Sequence, residues 1–285
     1  MNTAALTNDL DVLLQWKDRA ETSTERISAE QCRRMQETLD RIAELNVGDP
    51  LPPLWHFITH LTSAPLSRLG RDGHPQRGGF LPPVALPRRM WAGGRFTFTG
   101  SIRLGDEVTK TSTIHQIETK TGRTGPLCFV TVRHELAVHG ETRVTEDQDL
   151  VYREDPAPDA LRPQPRPAPR DADWTRIIEP SEVMLFRYSA LTFNGHRIHY
   201  DRDYARDVEG YDGLVFHGPL TATLLADLAA SEMGPLATFS FRALSPLFDT
   251  APFTIAGARD GDRARLWAAT PDGALAMDAE ASIIQ

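Results

Sequence analysis

Apolar residues recur at intervals of three and four near the start of the chain, then at two, then at three and four again. These changes of period lay out the elements. "SAEQCRRMQETLDRIAELN" puts Met35, Leu39, Ile42 and Leu45 on one helical face behind Ser28, a suitable N-cap, so residues 8–46 are expected to be helical. Residues 47–95 are dense in Pro and Gly and are expected to be mostly loop. From Phe96 to Glu154 the period is two, in runs broken at Leu104-Gly105-Asp106, Thr121-Gly122 and His139-Gly140, the pattern of an antiparallel meander. "EDPAPDALRPQPRPAPRDAD" then holds too little apolar surface to pack and, rich in proline, should be extended and semi-rigid. "GPLTATLLADLAASEMG" restores the helical period. Pro219 suits its first turn, Leu220, Leu224, Leu225 and Leu228 share one face, and Gly234-Pro235 ends it. Strands resume at "ATFSFRAL". A boundary near residue 165 follows, with an N-terminal unit over 1–160, a Pro-rich linker over 161–172 and a C-terminal unit over 173–285.

The two units echo each other. "FTFTGSIRLGDEV" from Phe96 aligns without gaps on "FSFRALSPLFDTA" from Phe239, and "GGFLPPVALPRRM" lies upstream of the first where "GLVFHGPLTATLL" lies upstream of the second. Related segments in the same order point to a duplicated unit.

Composition narrows the classes of function. The 285 residues carry 39 acidic and 31 basic side chains, a net charge of −8, which argues against a general nucleic-acid binder. Two cysteines, Cys32 and Cys128, make neither a disulfide framework nor a metal knuckle, and suit a reducing compartment. No run approaches the roughly 20 apolar residues of a membrane span, and the first residues lack the basic start of a signal peptide. A cytoplasmic protein with no membrane or nucleic-acid partner is expected.

Chemistry concentrates in "RYSALTFNGHRIHYDRDY" and "GLVFHGPL". His196, His199, Asp201 and His217 could ligate a metal, but their spacing matches no zinc-site pattern and no metal is expected. Acid–base chemistry is the alternative. His199 is the candidate proton carrier, Asn194 a neighbour that orients without titrating, and Gly218, opening a helix, a candidate oxyanion donor through its N–H. Taken singly, His196 reads better as a turn or capping residue, and His217 reads equally well either way.

The longer stretch "YSALTFNGHRIHYDRDYARDVEGYDGLVFHGPL" resembles the hydratase signature of the MaoC-like family of enoyl-thioester hydratases and dehydratases. Ser189, Ile198, His199, Asp201, Ala205, Gly210, His217 and Gly218 match that pattern in order, while the family's catalytic Asp falls on Asn194. That variant resembles a subgroup of mitochondrial-type 3-hydroxyacyl-thioester dehydratases and bacterial mesaconyl-C4-CoA or itaconyl-CoA hydratases. The resemblance implies an α+β double hot-dog fold: two tandem units, each an antiparallel sheet wrapped around a central helix. It implies one active site per chain, with Asn194, His199 and Gly218 catalytic and Tyr188, Phe216 and His217 beside the substrate. The N-terminal unit, where "LWHFITHLTSAPLSRLG" leaves His56 and His60 without the motif, would line the acyl pocket. Arg88, Arg89 and Arg242 are candidates for a substrate carboxylate or a CoA phosphate. The implied substrate is a short 2-enoyl-CoA of a dicarboxylic acid, itaconyl-CoA or mesaconyl-C4-CoA, with no cofactor beyond its coenzyme A, and the implied assembly is a homo-oligomer. An acyl-CoA-binding module without chemistry, a fatty-acid-pathway dehydratase and a thioesterase on the same fold remain alternatives.

Overall fold

The computed structural model describes residues 10–122, 125–155 and 164–284. Its frame is one ten-stranded antiparallel sheet. The strands are β1 (Ala20–Arg26), β2 (Arg88–Phe98), β3 (Glu107–Gly122), β4 (Gly125–Val138), β5 (Glu141–Arg153), β6 (Trp174–Ile178), β7 (Leu236–Ala243), β8 (Phe253–Asp260), β9 (Arg263–Ala269) and β10 (Leu275–Ile283). They lie in the order β1-β3-β4-β5-β2-β7-β10-β9-β8-β6. Reading outward from the middle, each half has the same order, so the halves are related by a two-fold between β2 and β7. Phe96 pairs with Phe239 across that seam, and both are buried. The two Phe-x-Phe segments matched in the sequence are therefore the two central strands. The second matched pair is not equivalent: residues 78–87 form loop, whereas Gly218–Met233 is helix.

That helix (α4) lies on the sheet with Leu220, Leu224, Leu225 and Leu228 among eleven buried residues, and Pro219 in its first turn. The C-terminal half is thus a sheet wrapped on a central helix, as the resemblance implies. The N-terminal half departs from it. Between α2 (Ala29–Thr38) and β2 there are only two short 3-10 turns, Trp55–Ile58 and Leu66–Arg68. Leu54, Trp55 and Ile58 fill the space and join a core continuous with that of the other half. The Trp55 indole donates to Asp227 Oδ1 of α4 at 3.2 Å and Arg41 binds Asp227 Oδ2 at 2.8 Å, so α4 is gripped by the N-terminal half.

The continuous helix expected over 8–46 is three pieces. α1 (Leu10–Leu14) is followed by β1 and then α2. Ser28 does cap α2, accepting from Gln31 N at 3.2 Å. The helix stops at Thr38, which leaves Ile42 exposed. β1 is the polar run "AETSTER", set as an edge strand on β3 with Thr22 facing Thr111 and Thr24 facing Thr109. Threonine favours strands, and a polar edge discourages pairing with other chains. The hairpin at His139-Gly140 has φ of +52° and +81°, the left-handed pair that a tight two-residue turn requires. Residues 161–163 of the expected linker lie outside the described residues. Residues 166–168 run along the 270s loop, with Leu275 N donating to Arg166 O.

A polar cluster lies inside the N-terminal half. Glu146 is 2% exposed and meets His56 Nε2 at 3.0 Å, while His134 Nδ1 meets Ser112 Oγ at 2.8 Å. Burial raises the Glu146 pKa, but the hydrogen bond from His56 and the nearby charges of His134 and Lys110 outweigh it and hold the carboxyl below its ordinary range. His60 Nε2 lies 3.0 Å from Val108 O. His56 and His60 therefore hold structure together.

Candidate active site

The catalytic stretch forms an overhang between α3 (Glu182–Leu191) and α4. Ser181 caps α3 by accepting from Met184 N at 3.1 Å. After α3 the chain turns at Phe193, with φ +49°, and Asn194 N donates to Ser189 O at 2.8 Å. Arg197–His199 is one 3-10 turn, and the chain returns so that Val215 N donates to Ile198 O. This return fixes His199. Its Nδ1–H donates to Val215 O at 2.7 Å, so Nε2 is left with its lone pair.

Four imidazoles stand in a rank. The His217 and His199 ring centroids are 3.7 Å apart and nearly parallel; His199 and His196 are 5.4 Å apart, edge to face; His196 and His74 are 4.2 Å apart. Stacked rings in a dry site cannot share positive charge. Burial pushes His199 down to about 4, with His74's charge adding to the effect and the Val215 carbonyl opposing it. Burial first, then the neighbouring imidazoles, pushes His217 and His196 down as well. His199 is consequently neutral at pH 7, the form that can accept a proton. The acid limb of kcat/KM is expected near pH 4, well below the ordinary histidine range that the sequence alone suggests. A pH–rate profile with acid-treated samples re-assayed at neutral pH checks this. A reversible midpoint above 6 would mean that His199 titrates as a solvated group.

Asn194 is placed to donate. Its Oδ1 already accepts from His196 N at 3.0 Å, so the free end is the amide NH2. Gly218 is the first residue of α4, behind His217 as N-cap, so its N–H lies at the positive end of the helix. A Cβ placed on Gly218 would meet nothing within 4 Å, which is open space against the backbone. His217 is fully buried, meets Ser189 Oγ through Nε2 at 2.9 Å and takes the edge of Tyr188 at 4.8 Å. His217 and Tyr188 thus back the His199 ring. Phe216 points the other way, packed edge-on against Phe253 at 4.9 Å, and is a core residue.

The three arginines separate. Arg88 is tied to Asp155 Oδ1 at 3.0 Å and Glu209 Oε2 at 2.8 Å, with a tenth of its side chain exposed, which leaves it no fork for a substrate. Arg242 is exposed on β7 between buried Phe241 and the end of the strand, on the face of the sheet away from α4. Arg89, facing Tyr152 across β2 and β5, lies close enough for its charge to disfavour protonation of both His74 and His196. The alternative metal set named above does not assemble either: Asp201 is bound by Arg197 at 2.7 Å, and His199 and His217 stack with their polar atoms on Val215 and Ser189.

Asp72 and His74 are functional candidates that residue spacing missed. They reach the site from the N-terminal half in "GRDGHPQRGG". A histidine between a glycine and a proline, in the half without the motif, was the available signal. Asp72 Oδ2 meets His74 Nδ1 at 3.0 Å, and Asp72, His74 and His196 each offer a ligand atom within 4.8 Å of the others.

Comparison with known proteins gives the family and the fold. A family profile described as hydroxyacyl-thioester dehydratase type 2 matches residues 54–249. The chain is 47% identical over 269 residues to a mesaconyl-C(4)-CoA hydratase of Chloroflexus aurantiacus, covering 93% of this chain and 96% of that protein. Among solved structures, a MaoC-like dehydratase from Phytophthora capsici superposes with a TM-score of 0.66 at 14% identity, covering 98% of this chain and 99% of that one. A Mycobacterium tuberculosis protein described as having a double hotdog fold superposes at 0.56 and 11% identity, covering 94% and 96%.

Proposed function

The chain belongs to the hydroxyacyl-thioester dehydratase type 2 family of hydro-lyases, and from that premise we propose that it hydrates a short enoyl-CoA bearing a free carboxylate. Mesaconyl-C4-CoA, the substrate named for the 47% identical relative, is the first candidate and itaconyl-CoA the second; either would give citramalyl-CoA. The observation that carries the reading is His199, fixed through Nδ1 with Nε2 free and stacked on His217, the residue that caps the open N-terminus of α4.

In this mechanism the Gly218 N–H donates to the thioester oxygen as charge builds on it, a contribution of roughly 3–4 kcal/mol for one such donor. His199 Nε2 takes a proton from water as the water oxygen bonds to C3. The π electrons move to C2 and onto the thioester oxygen. The enolate collapses when C2 takes a proton from the His199 imidazolium, which restores the free base. Asn194 donates to the water or to a substrate oxygen. The reaction needs no cofactor besides the coenzyme A of the substrate. The N-terminal half lines the acyl side of the site, and the chain works in the cytoplasm; among the described residues no helix is long and apolar enough to cross a membrane. Val183, Phe186 and Phe193, exposed on and after α3, make that helix the natural contact for a second copy.

Incubation of the purified protein with mesaconyl-C4-, itaconyl- and crotonyl-CoA, followed by mass spectrometry for a gain of water, tests the reading. Release of free coenzyme A without hydration would replace it with a thioesterase, and no change in any thioester with a binding module. The family description also keeps the reverse reaction, dehydration of a 3-hydroxyacyl thioester, as the second reading.

Asn194 offers a sharper test. Asn194→Ala removes one donor and should cost about 1–3 kcal/mol, 5- to 150-fold in kcat/KM. Asn194→Asp keeps the bond to His196 N but turns the free donor into an anion facing the substrate. A charged thioester should then suffer more than crotonyl-CoA, because like charges a few ångströms apart in a partly dry site repel strongly. Equal effects on the two substrates would rule out that repulsion.

A further inference from the structure

Loop 70–76 of the N-terminal half is clamped onto the catalytic overhang. Gly70 N donates to His74 O at 2.7 Å, Arg197 N to Asp72 O at 2.9 Å and Arg197 Nη1 to Arg71 O at 3.2 Å. Gly73, at φ +87°, passes so close to the overhang that a Cβ there would sit 1.9 Å from Gly195 O. Only glycine permits both that conformation and that approach. The clamp delivers one side chain, His74. Asp72 fixes it twice, by accepting from His74 N at 3.1 Å and from His74 Nδ1 at 3.0 Å, so Nε2 faces away from the carboxylate, with the His196 ring 4.2 Å from that of His74.

Arg89, paired with Tyr152 across β2 and β5, is near enough for its charge to act on both His74 and His196. Its neighbour in sequence, Arg88, has two carboxylate partners; Arg89 has none among the described residues, although it is half-buried. A half-dry guanidinium without a counter-ion is costly to hold. It becomes favourable when an anion completes the corner. The surrounding charge selects the sign of the missing group. Arg77, stacked at 5.4 Å over the Tyr152 ring and bound to Val84 O at 2.7 Å, adds a second positive charge, which the Asp72 carboxylate opposes. A cation held by Asp72, His74 and His196 would sit in the repulsive field of both arginines.

We propose that Arg89 and the His74 held by Asp72 form the seat for the free carboxylate of the substrate, with His196 closing the seat on the side toward His199. The assignment rests on the hydratase reading above and names the groups that give it a dicarboxylic specificity. The carboxylate accepts from the Arg89 fork and from His74 Nε2, which takes up a proton when the carboxylate arrives and is then held between two carboxylates. The substrate lies along the rank of rings, with the double bond at His199 and the charged end at His74. The seat belongs to the N-terminal half and the base to the C-terminal half, so chemistry and selectivity are divided between them.

Binding of two unreactive acyl-CoAs of equal length tests the seat independently of turnover: succinyl-CoA, which ends in a carboxylate, and butyryl-CoA, which ends in a methyl group. Calorimetric titration of the parent protein should show preference for succinyl-CoA. Arg89→Gln should reduce that preference about 30-fold and His74→Gln about 10-fold, the order expected for one charge-assisted hydrogen bond; Arg89→Lys should restore part of it. A parent protein without preference, or variants that keep the parent's preference, would overturn the seat. So would equal loss for both ligands, which would mark Arg89 and His74 as structural. Zinc-dependent activity lost on chelation would overturn it in favour of a metal held by Asp72, His74 and His196. Failure of the hydratase reading is seen separately, in the parent's turnover of the enoyl-CoA panel.

Discussion

Replacing His199 by alanine is expected to lower kcat by at least about 10²-fold in a protein that still folds, the lower range for loss of a positioned acid–base group. The substitution removes the imidazole that combines a fixed tautomer and a free Nε2 with a place beside the start of α4; His74 also has a free Nε2 but stands two rings away. His217 cannot stand in for it, since its Nε2 is engaged by Ser189 and burial holds its proton affinity low. His196 is one ring further from the open N-terminus of α4. Alanine also leaves the Val215 carbonyl without its donor and a gap against His217, so some loss of stability accompanies the loss of rate. His199→Gln separates the two effects. Its amide can reach Val215 O but has no useful proton affinity, so it should recover stability and not turnover. Circular dichroism and a thermal melt on both variants establish that they are folded; kcat on the preferred thioester is the deciding number. Near-parental turnover by either folded variant would remove His199 from the chemistry.

The second large effect concerns stability rather than rate. Glu146→Ala should destabilise the protein by about 3–5 kcal/mol, the usual consequence of removing one member of a buried charged cluster. The carboxylate is hydrogen-bonded by His56 and lies beside His134 and Lys110. Without it, Lys110, whose pKa burial already lowers, loses the larger of the two carboxylate charges that oppose that burial and keeps only Glu21's. Urea denaturation should show a lower midpoint with an unchanged slope. Since the cluster lies in the N-terminal half, away from the four-ring rank, kcat of the folded fraction should change little. A loss below about 1 kcal/mol would mean that water already solvates the cluster.

Much of the catalytic half was legible because its signals are local. The helix over Gly218–Met233 follows from four leucines, a first-turn proline and a Gly-Pro stop, and the overhang from a motif contained in about thirty residues. β1 was not legible for a physical reason. "AETSTER" has no apolar alternation, and it is a strand because β3 offers it a threonine-faced edge 85 or more residues away in sequence. The N-terminal half was expected to contain a central helix of its own. The segment taken as its counterpart matched in order but carries no helical period across its prolines, and aromatic residues of two short turns fill the space instead. Arg88 and Arg89 are adjacent in sequence and equivalent in composition. Only the fold shows that one is consumed by Asp155 and Glu209 while the other faces the imidazoles. His74 reaches His196 because two glycines allow backbones 122 residues apart to touch, and no spacing rule encodes such a contact.

The seam between β2 and β7 has a kinetic meaning. Two separate copies of a half would have to meet before a base on one could work beside a carboxylate seat on the other, and the complete site would thin out on dilution. Here Phe96 and Phe239 pair within a single chain, and Asp227 ties α4 to Trp55 and Arg41. Completion of the site is therefore a first-order event, governed by an effective concentration that the tether fixes and dilution cannot lower. It also releases each half from the need to match the other. With the encounter guaranteed, one half is free to give up its central helix and its base and to specialise in reading the far end of the acyl group.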